Sequence, residues 1–150
     1  MKSPFIAKAI ATFFGLGFIP LAPGTAASLA ALPILGPFKS SPAFFLPLMG
    51  SLGILAVWSC GLYARQIKQK DPQSAVIDEV FGMGLALAAL PDSGWREMLA
   101  AFVLFRAFDV MKPFPLRKLE TLPGGWGIIS DDAGAAIYTI MTLKACAVLF

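Results

Sequence analysis

Between Lys8 and Lys39 the chain carries no charged residue, and after Lys39 none until Arg65. Shorter uncharged runs follow at residues 80–91, 98–105 and 133–143. Soluble domains interleave charge far more evenly, at about a quarter of all residues. Here charged residues make up 14% and hydrophobic ones 57%, with a mean hydropathy of +0.75. A lipid bilayer is the solvent that fits. The run 41–64 is long enough to cross one, since a span needs about 20 mostly apolar residues. Pro47 and Gly50 are breakers that membrane helices tolerate. Trp58 and Tyr63 suit an interface, and Arg65, Lys68 and Lys70 follow at once. The positive-inside rule places that end at the cytoplasm.

The first uncharged run is interrupted by Gly15, Gly17, Pro20, Pro23, Gly24 and Pro33, a density of breakers that a straight helix does not bear. Two short helices meeting at a Pro-Gly turn fit better, re-entrant or lying at the interface. The same segment also has the pattern of a secretory signal: Lys2 and Lys8, an apolar core near 9–19, small residues at 25–27. Helices are expected over 73–91, over 95–111 ahead of Pro113, and from about Asp131 to the C-terminus. The expectation is one all-α domain over residues 1–150, a small membrane-embedded bundle with at least one transmembrane helix.

Composition removes several chemistries. There is no histidine, so Ser-His-Asp triads, phosphohistidine enzymes and imidazole metal sites are all excluded. Cys60 and Cys146 both lie in apolar stretches and form no paired framework. A net charge of +3 from 12 cations is too weak for a nucleic-acid binder.

Five of the nine acids stand in three short words: Asp78 and Glu79 in IDE, Asp109 in FD, Asp131 and Asp132 in SDD. Ionisable groups are expensive in an apolar chain and mark functional sites by default. Carboxylates without histidine point to a hard cation with oxygen ligands, Mg²⁺ before Zn²⁺. The plain alternative is that Asp78, Glu79, Asp131 and Asp132 cap helix N-termini while Asp109 pairs with a nearby arginine. Both readings stand at this level.

Arg106, Lys112, Arg117 and Lys118 surround Asp109, and Arg106 shares a helix face with it at a spacing of three. Cations beside a carboxylate metal site suit phosphate-ester chemistry, because they hold the non-bridging oxygens. They equally suit a juxtamembrane patch on anionic lipid. Pro23-Gly24-Thr25 opens a small-residue helix whose free N–H groups suit an anion; close helix packing explains the same residues. Gly124-Gly125-Trp126-Gly127 reads either as a turn or as backbone close to a substrate.

Taken in order, LAPGTAASLAAL (21–32), VIDEVFGM (76–83), FRAFDVMKPFPLR (105–117) and GGWGIISDDAGA (124–135) resemble the phosphatidylglycerophosphatase A family over about residues 12–140. The resemblance implies a mostly helical, bacterial, Mg²⁺-dependent enzyme of the inner membrane, working at its cytoplasmic side. Its substrate would be an anionic phospholipid, phosphatidylglycerophosphate, converted to phosphatidylglycerol and inorganic phosphate. It also makes residues 23–25 part of the mature site, against the signal reading. The chain departs from the family pattern at Ala27, Met111, Phe114 and Glu120, while the IDE, FD and SDD acids all remain.

The expected site follows. Asp78, Glu79, Asp131 and Asp132 would hold one or two Mg²⁺, with Asp109 as a further catalytic acid. Arg106, Lys112 and Arg117 would hold phosphate oxygens, with Thr25 as another donor. A small cation or proton carrier, another metal-dependent lipid phosphotransferase, and a membrane assembly subunit are the alternatives. A carrier asks for acids along a path through the bilayer centre; a phosphatase asks for acids at helix ends near one interface.

Overall fold

The computed structural model describes residues 3–149. Among them are seven helices and no strand: α1 (Ser3–Ala11), α2 (Pro23–Leu35), α3 (Pro42–Ile67), α4 (Ile77–Ala88), α5 (Trp95–Met111), α6 (Leu116–Leu119) and α7 (Gly125–Leu149). The all-α expectation holds.

Helix α4 is the hub, packed against α2, α3, α5 and α7. Its apolar residues recur at helical spacing, and Val80, Met83, Ala86 and Leu87 are fully or almost fully buried. Gly82 and Gly84 allow the close approach: a β-carbon on Gly82 would strike Phe105 of α5, and one on Gly84 would strike Met49 of α3. Helix α3 is long and apolar enough to cross a membrane, with a hydropathy of 1.8 over its most apolar stretch. Only 28% of that stretch is buried inside the protein. Phe44, Leu46, Ile54 and Leu55 point outward, as a lipid-facing helix requires.

The first two helices are short and meet through a turn, as the breaker density predicts. Phe13, Phe14 and Gly15 take left-handed backbone there, a short 3-10 turn follows at Leu16–Phe18, and Pro23 opens α2 in its first turn. Ala7, Ala11, Ala27 and Ala31 are wholly buried, so both helices belong to the core. Lys2, part of the signal pattern, lies outside the described residues. The Val76 amide donates to the Ala11 carbonyl at 2.8 Å, tying the end of α1 to the entry of α4.

Two boundaries differ from expectation. Helix α4 is shorter than 73–91, because residues 68–76 form an irregular link from the end of α3. Helix α7 begins at Gly125, not near Asp131. Gly124 keeps the turn, with a left-handed φ of 62°, whereas Gly125 and Gly127 are helical, and Gly125 lets α7 lie against α3: a β-carbon there would meet the Val57 backbone. Packing outweighs the low helix propensity of glycine. The consequence is functional, because Asp131 and Asp132 sit well inside the helix and cap nothing.

Candidate active site

The N-terminal turns of α2 and α4, the link 68–76, the C-terminal turn of α5 and one face of α7 enclose a cavity of about 500 Å³. Asp78, Glu79, Asp109, Asp131 and Asp132 all line it, together with Thr25, Arg106 and Lys112. Residues far apart in sequence meet because each helix contributes one end or one turn to the same hollow. Asp78 and Glu79 lie in the first turn of α4, where the helix dipole favours a carboxylate. Asp109 lies near the C-terminus of α5, where the dipole disfavours one. With Asp131 and Asp132 in mid-helix, the plain alternative covers Asp78 and Glu79 by their place in the first turn and Asp109 by its arginine, and leaves Asp131 and Asp132 to be explained.

Two of the five have cationic partners. Arg106 Nη1 lies 2.7 Å from Asp109 Oδ2. Lys112 Nζ donates to Asp131 Oδ2 at 2.7 Å and also to Glu120. The other three form no ion pair among the described residues and crowd together: Asp78, Glu79 and Asp132 each present an oxygen within 4.8 Å of the others'. Asp78 Oδ1, Glu79 Oε2, Asp131 Oδ1 and Asp132 Oδ1 are buried and accept no hydrogen bond among the described residues. Buried polar atoms are otherwise almost always partnered. Burial pushes the carboxyls of Asp78 and Asp132 well above the usual carboxylate range, and the charge of Glu79 pushes both further. For Lys112, burial alone favours the neutral amine, but the bonds to Asp131 and Glu120 outweigh it and raise its pKa. Crowded, buried, oxygen-only donors of this kind match a hard divalent cation.

The same cavity presents groups suited to an anion. Arg106 keeps Nε buried without a hydrogen-bond acceptor, while Nη1 is ion-paired with Asp109. At the entry of α2, Pro23 has no N–H, and the amides of Gly24 and Thr25 precede any helical acceptor. At Gly24 a larger residue fits only if the Glu79 side chain moves. A β-carbon there would run into the Glu79 carboxylate and come within 3.3 Å of Arg106 Nη1. Gly24→Ala is therefore expected to lower turnover roughly ten- to hundredfold by displacing Glu79, with the thermal midpoint held, because alanine is the better helix former. Steady-state kinetics beside a melting curve check this; unchanged turnover would show that the contact does not position Glu79.

Of the residues expected from sequence, the structure brings eight to one cavity and leaves one outside. Arg117, on α6, is not in its lining. The chain turns away at Lys112, whose left-handed φ of 45° ends α5, and Pro113 and Pro115 follow. Sequence reasoning missed Asp71 and Gln73, and marked Glu120 only as a departure from the family pattern. Asp71 and Gln73 belong to the link that carries the chain from α3 into the cavity wall. The chemistry of Glu120 lies in its bond to Lys112.

The profile of the family described as Phosphatidylglycerophosphatase A matches residues 9–147. A phosphatidylglycerophosphatase A of Haemophilus influenzae Rd is 41% identical over 140 residues, covering 91% of this chain and 85% of its own. One from Escherichia coli K12 is 38% identical over 130 residues, with 85% and 76% covered. A candidate phosphatidylinositol-3-phosphatase of Bacteroides thetaiotaomicron is 36% identical over 155 residues, with 95% of each chain covered. No solved structure gives a significant match.

Proposed function

From the premise that this chain belongs to the phosphatidylglycerophosphatase A family, we propose how its cavity performs the family's reaction. The protein hydrolyses phosphatidylglycerophosphate to phosphatidylglycerol and inorganic phosphate in phospholipid synthesis, and it is membrane-associated. The observation that carries the site assignment is the meeting of unpartnered buried carboxylate oxygens with the buried guanidinium of Arg106, whose Nε has no acceptor, in one cavity.

Asp78, Glu79 and Asp132 are the residues that would hold Mg²⁺, with the free oxygen of Asp131 available to the same set. When bound, the cation neutralises charge on the phosphate and lowers the pKa of the attacking water. The protein groups do the rest. Arg106 takes a non-bridging oxygen of the monoester through Nε while Nη1 stays beside Asp109, and the Thr25 hydroxyl and the α2 amides add donors from the neighbouring entry of α2. Lys112 fixes Asp131 and balances part of the acidic charge. Without histidine, a carboxylate must move the proton. Asp109 lines the cavity outside the close trio, so it accepts the water proton as oxygen attacks phosphorus. The ester P–O bond breaks, and the departing glyceryl oxygen, on the far side of phosphorus from the water, takes its proton from solvent.

We place the enzyme in the bacterial cytoplasmic membrane with the cavity open to the cytoplasm. Arg65, Lys68 and Lys70 close the apolar length of α3, and the next residues of the chain, Asp71 and Gln73, already line the cavity. The carrier alternative is disfavoured because Arg106 and Lys112 share the hollow with the acids, and a cation path would not keep them there.

Phosphate release by detergent-purified protein tests the reading. The substrates are phosphatidylglycerophosphate, phosphatidic acid, phosphatidylinositol 3-phosphate and a water-soluble phosphomonoester, each with and without Mg²⁺. Release that needs both Mg²⁺ and the glycerophosphate headgroup is expected. Release that survives a chelator would remove the cation, and a preference for the inositol lipid would move the headgroup.

A further inference from the structure

The substrate carries two phosphates, the terminal monoester and the diester that joins its glycerol to the diacylglycerol. The cavity described above accounts for the first. Besides a small hollow of about 100 Å³ that shares Asp71 and also holds Glu120, two larger ones share its lining, and they differ in charge. One, of about 590 Å³, shares Asp71 and Gln73 with it and so presents a carboxylate. The other, of about 340 Å³, shares Lys112, adds Arg117 and Lys118, and has no acid in its lining. A second anion one glycerol unit from the first is repelled by the former and attracted by the latter.

The basic hollow is built rather than incidental. The Tyr138 hydroxyl donates to the Phe114 carbonyl at 2.7 Å, which pins the loop between α5 and α6 to α7. Leu116 is 1% exposed and fills the space beside Gly134. Lys112 is committed to Asp131 and Glu120, whereas Arg117 and Lys118 make no ion pair among the described residues. Lys118 instead lies over the Phe114 ring at 5.0 Å. Val110, Met111 and Phe114 are exposed at this edge, so apolar side chains stand next to free cations. That is the pattern of a surface facing lipid headgroups.

We propose that Arg117 and Lys118 bind the phosphodiester of the substrate and thereby select it over phosphatidic acid, whose monoester sits directly on the diacylglycerol. The proposal rests on the function given above. It also explains why Arg117, close to Asp109 in sequence, lies off the cavity that takes the monoester.

The test is the double variant Arg117→Ala with Lys118→Ala in neutral detergent micelles, where the surface charge is constant. Both side chains are exposed, so folding should hold, and a melting curve verifies it. Turnover of phosphatidylglycerophosphate is measured against two competitors, phosphatidylglycerol, which has the diester alone, and inorganic phosphate, which mimics the monoester. Inhibition by phosphatidylglycerol should weaken roughly ten- to hundredfold, the range for lost charge-assisted hydrogen bonds, and KM should rise in step. Inhibition by inorganic phosphate should stay unchanged. Unaltered inhibition by the lipid, or equal weakening of both competitors, overturns the diester assignment while the functional reading survives. Wild-type protein that releases no phosphate from phosphatidylglycerophosphate overturns that reading, and this one with it.

Discussion

Asp132→Asn should lower turnover by more than about a hundredfold, beyond the usual cost of losing a partner outside the ligand set of a metal site, and should leave the protein folded. The position separates chemistry from architecture. Asp132 lies in mid-helix, is 3% exposed and has an oxygen without a partner, so it has no capping role to lose. Asp78 would be a less decisive choice, because a carboxylate in the first turn of α4 also favours the helix dipole. Asparagine preserves the shape and removes one negative charge from a cluster in which burial already opposes ionisation. Without divalent cation, the variant should therefore melt no lower than the wild type. With Mg²⁺ the order should reverse, since a ligand bound only by the folded state stabilises in proportion to the logarithm of its saturation. Paired melting curves with and without Mg²⁺, beside steady-state kinetics, read both effects. Near-normal turnover, or a Mg²⁺-induced rise in midpoint as large as the wild type's, would remove Asp132 from the cation site.

What could be read from the sequence depended on how local the cause was. Helix α5 runs over Trp95–Met111 as its acidic start and its trailing Pro113 require, and α3 covers the expected span, continuing past Arg65 to Ile67. Those signals lie within the segment. The start of α7 does not, because Gly125 and Gly127 are helical on account of what lies against them: the Val57 and Leu122 backbones leave no room for a side chain. A glycine-rich word looks the same in a flexible turn and in a close contact, and only the partner helix tells them apart. The acids were legible because charge in an apolar chain is conspicuous. Their division of labour was not. Sequence placed Asp131 among four equal ligands, whereas in the fold Lys112 engages one of its oxygens and leaves Asp78, Glu79 and Asp132 as the close trio. Asp71 escaped notice because it follows Lys70 in a link with no periodic pattern, where one more charge reads as solvation.

Arg106→Lys should be nearly as damaging as loss of an acid, with turnover falling by about two orders of magnitude, the scale for removing one transition-state hydrogen-bond donor. The charge is kept, so the expectation turns on geometry. A guanidinium presents a planar fork that meets two phosphate oxygens together, while an ammonium is a point charge on a flexible stem. In this cavity the fork is already divided: Nη1 lies beside Asp109 Oδ2, and Nε is buried with no acceptor. Lysine can hold the carboxylate or reach the phosphate, but one ammonium does not serve both from a fixed position. If Arg106 only neutralised Asp109, lysine would restore most of the activity, and a rate within a few-fold of wild type would assign it that role alone. If Arg106 binds the transferring phosphate, the loss should fall on kcat, and inhibition by inorganic phosphate should weaken together with it. That pairing distinguishes Arg106 from Arg117, whose replacement should leave phosphate inhibition intact. The two arginines, brought by one short stretch of sequence to different hollows, would then divide the substrate's two phosphates between them.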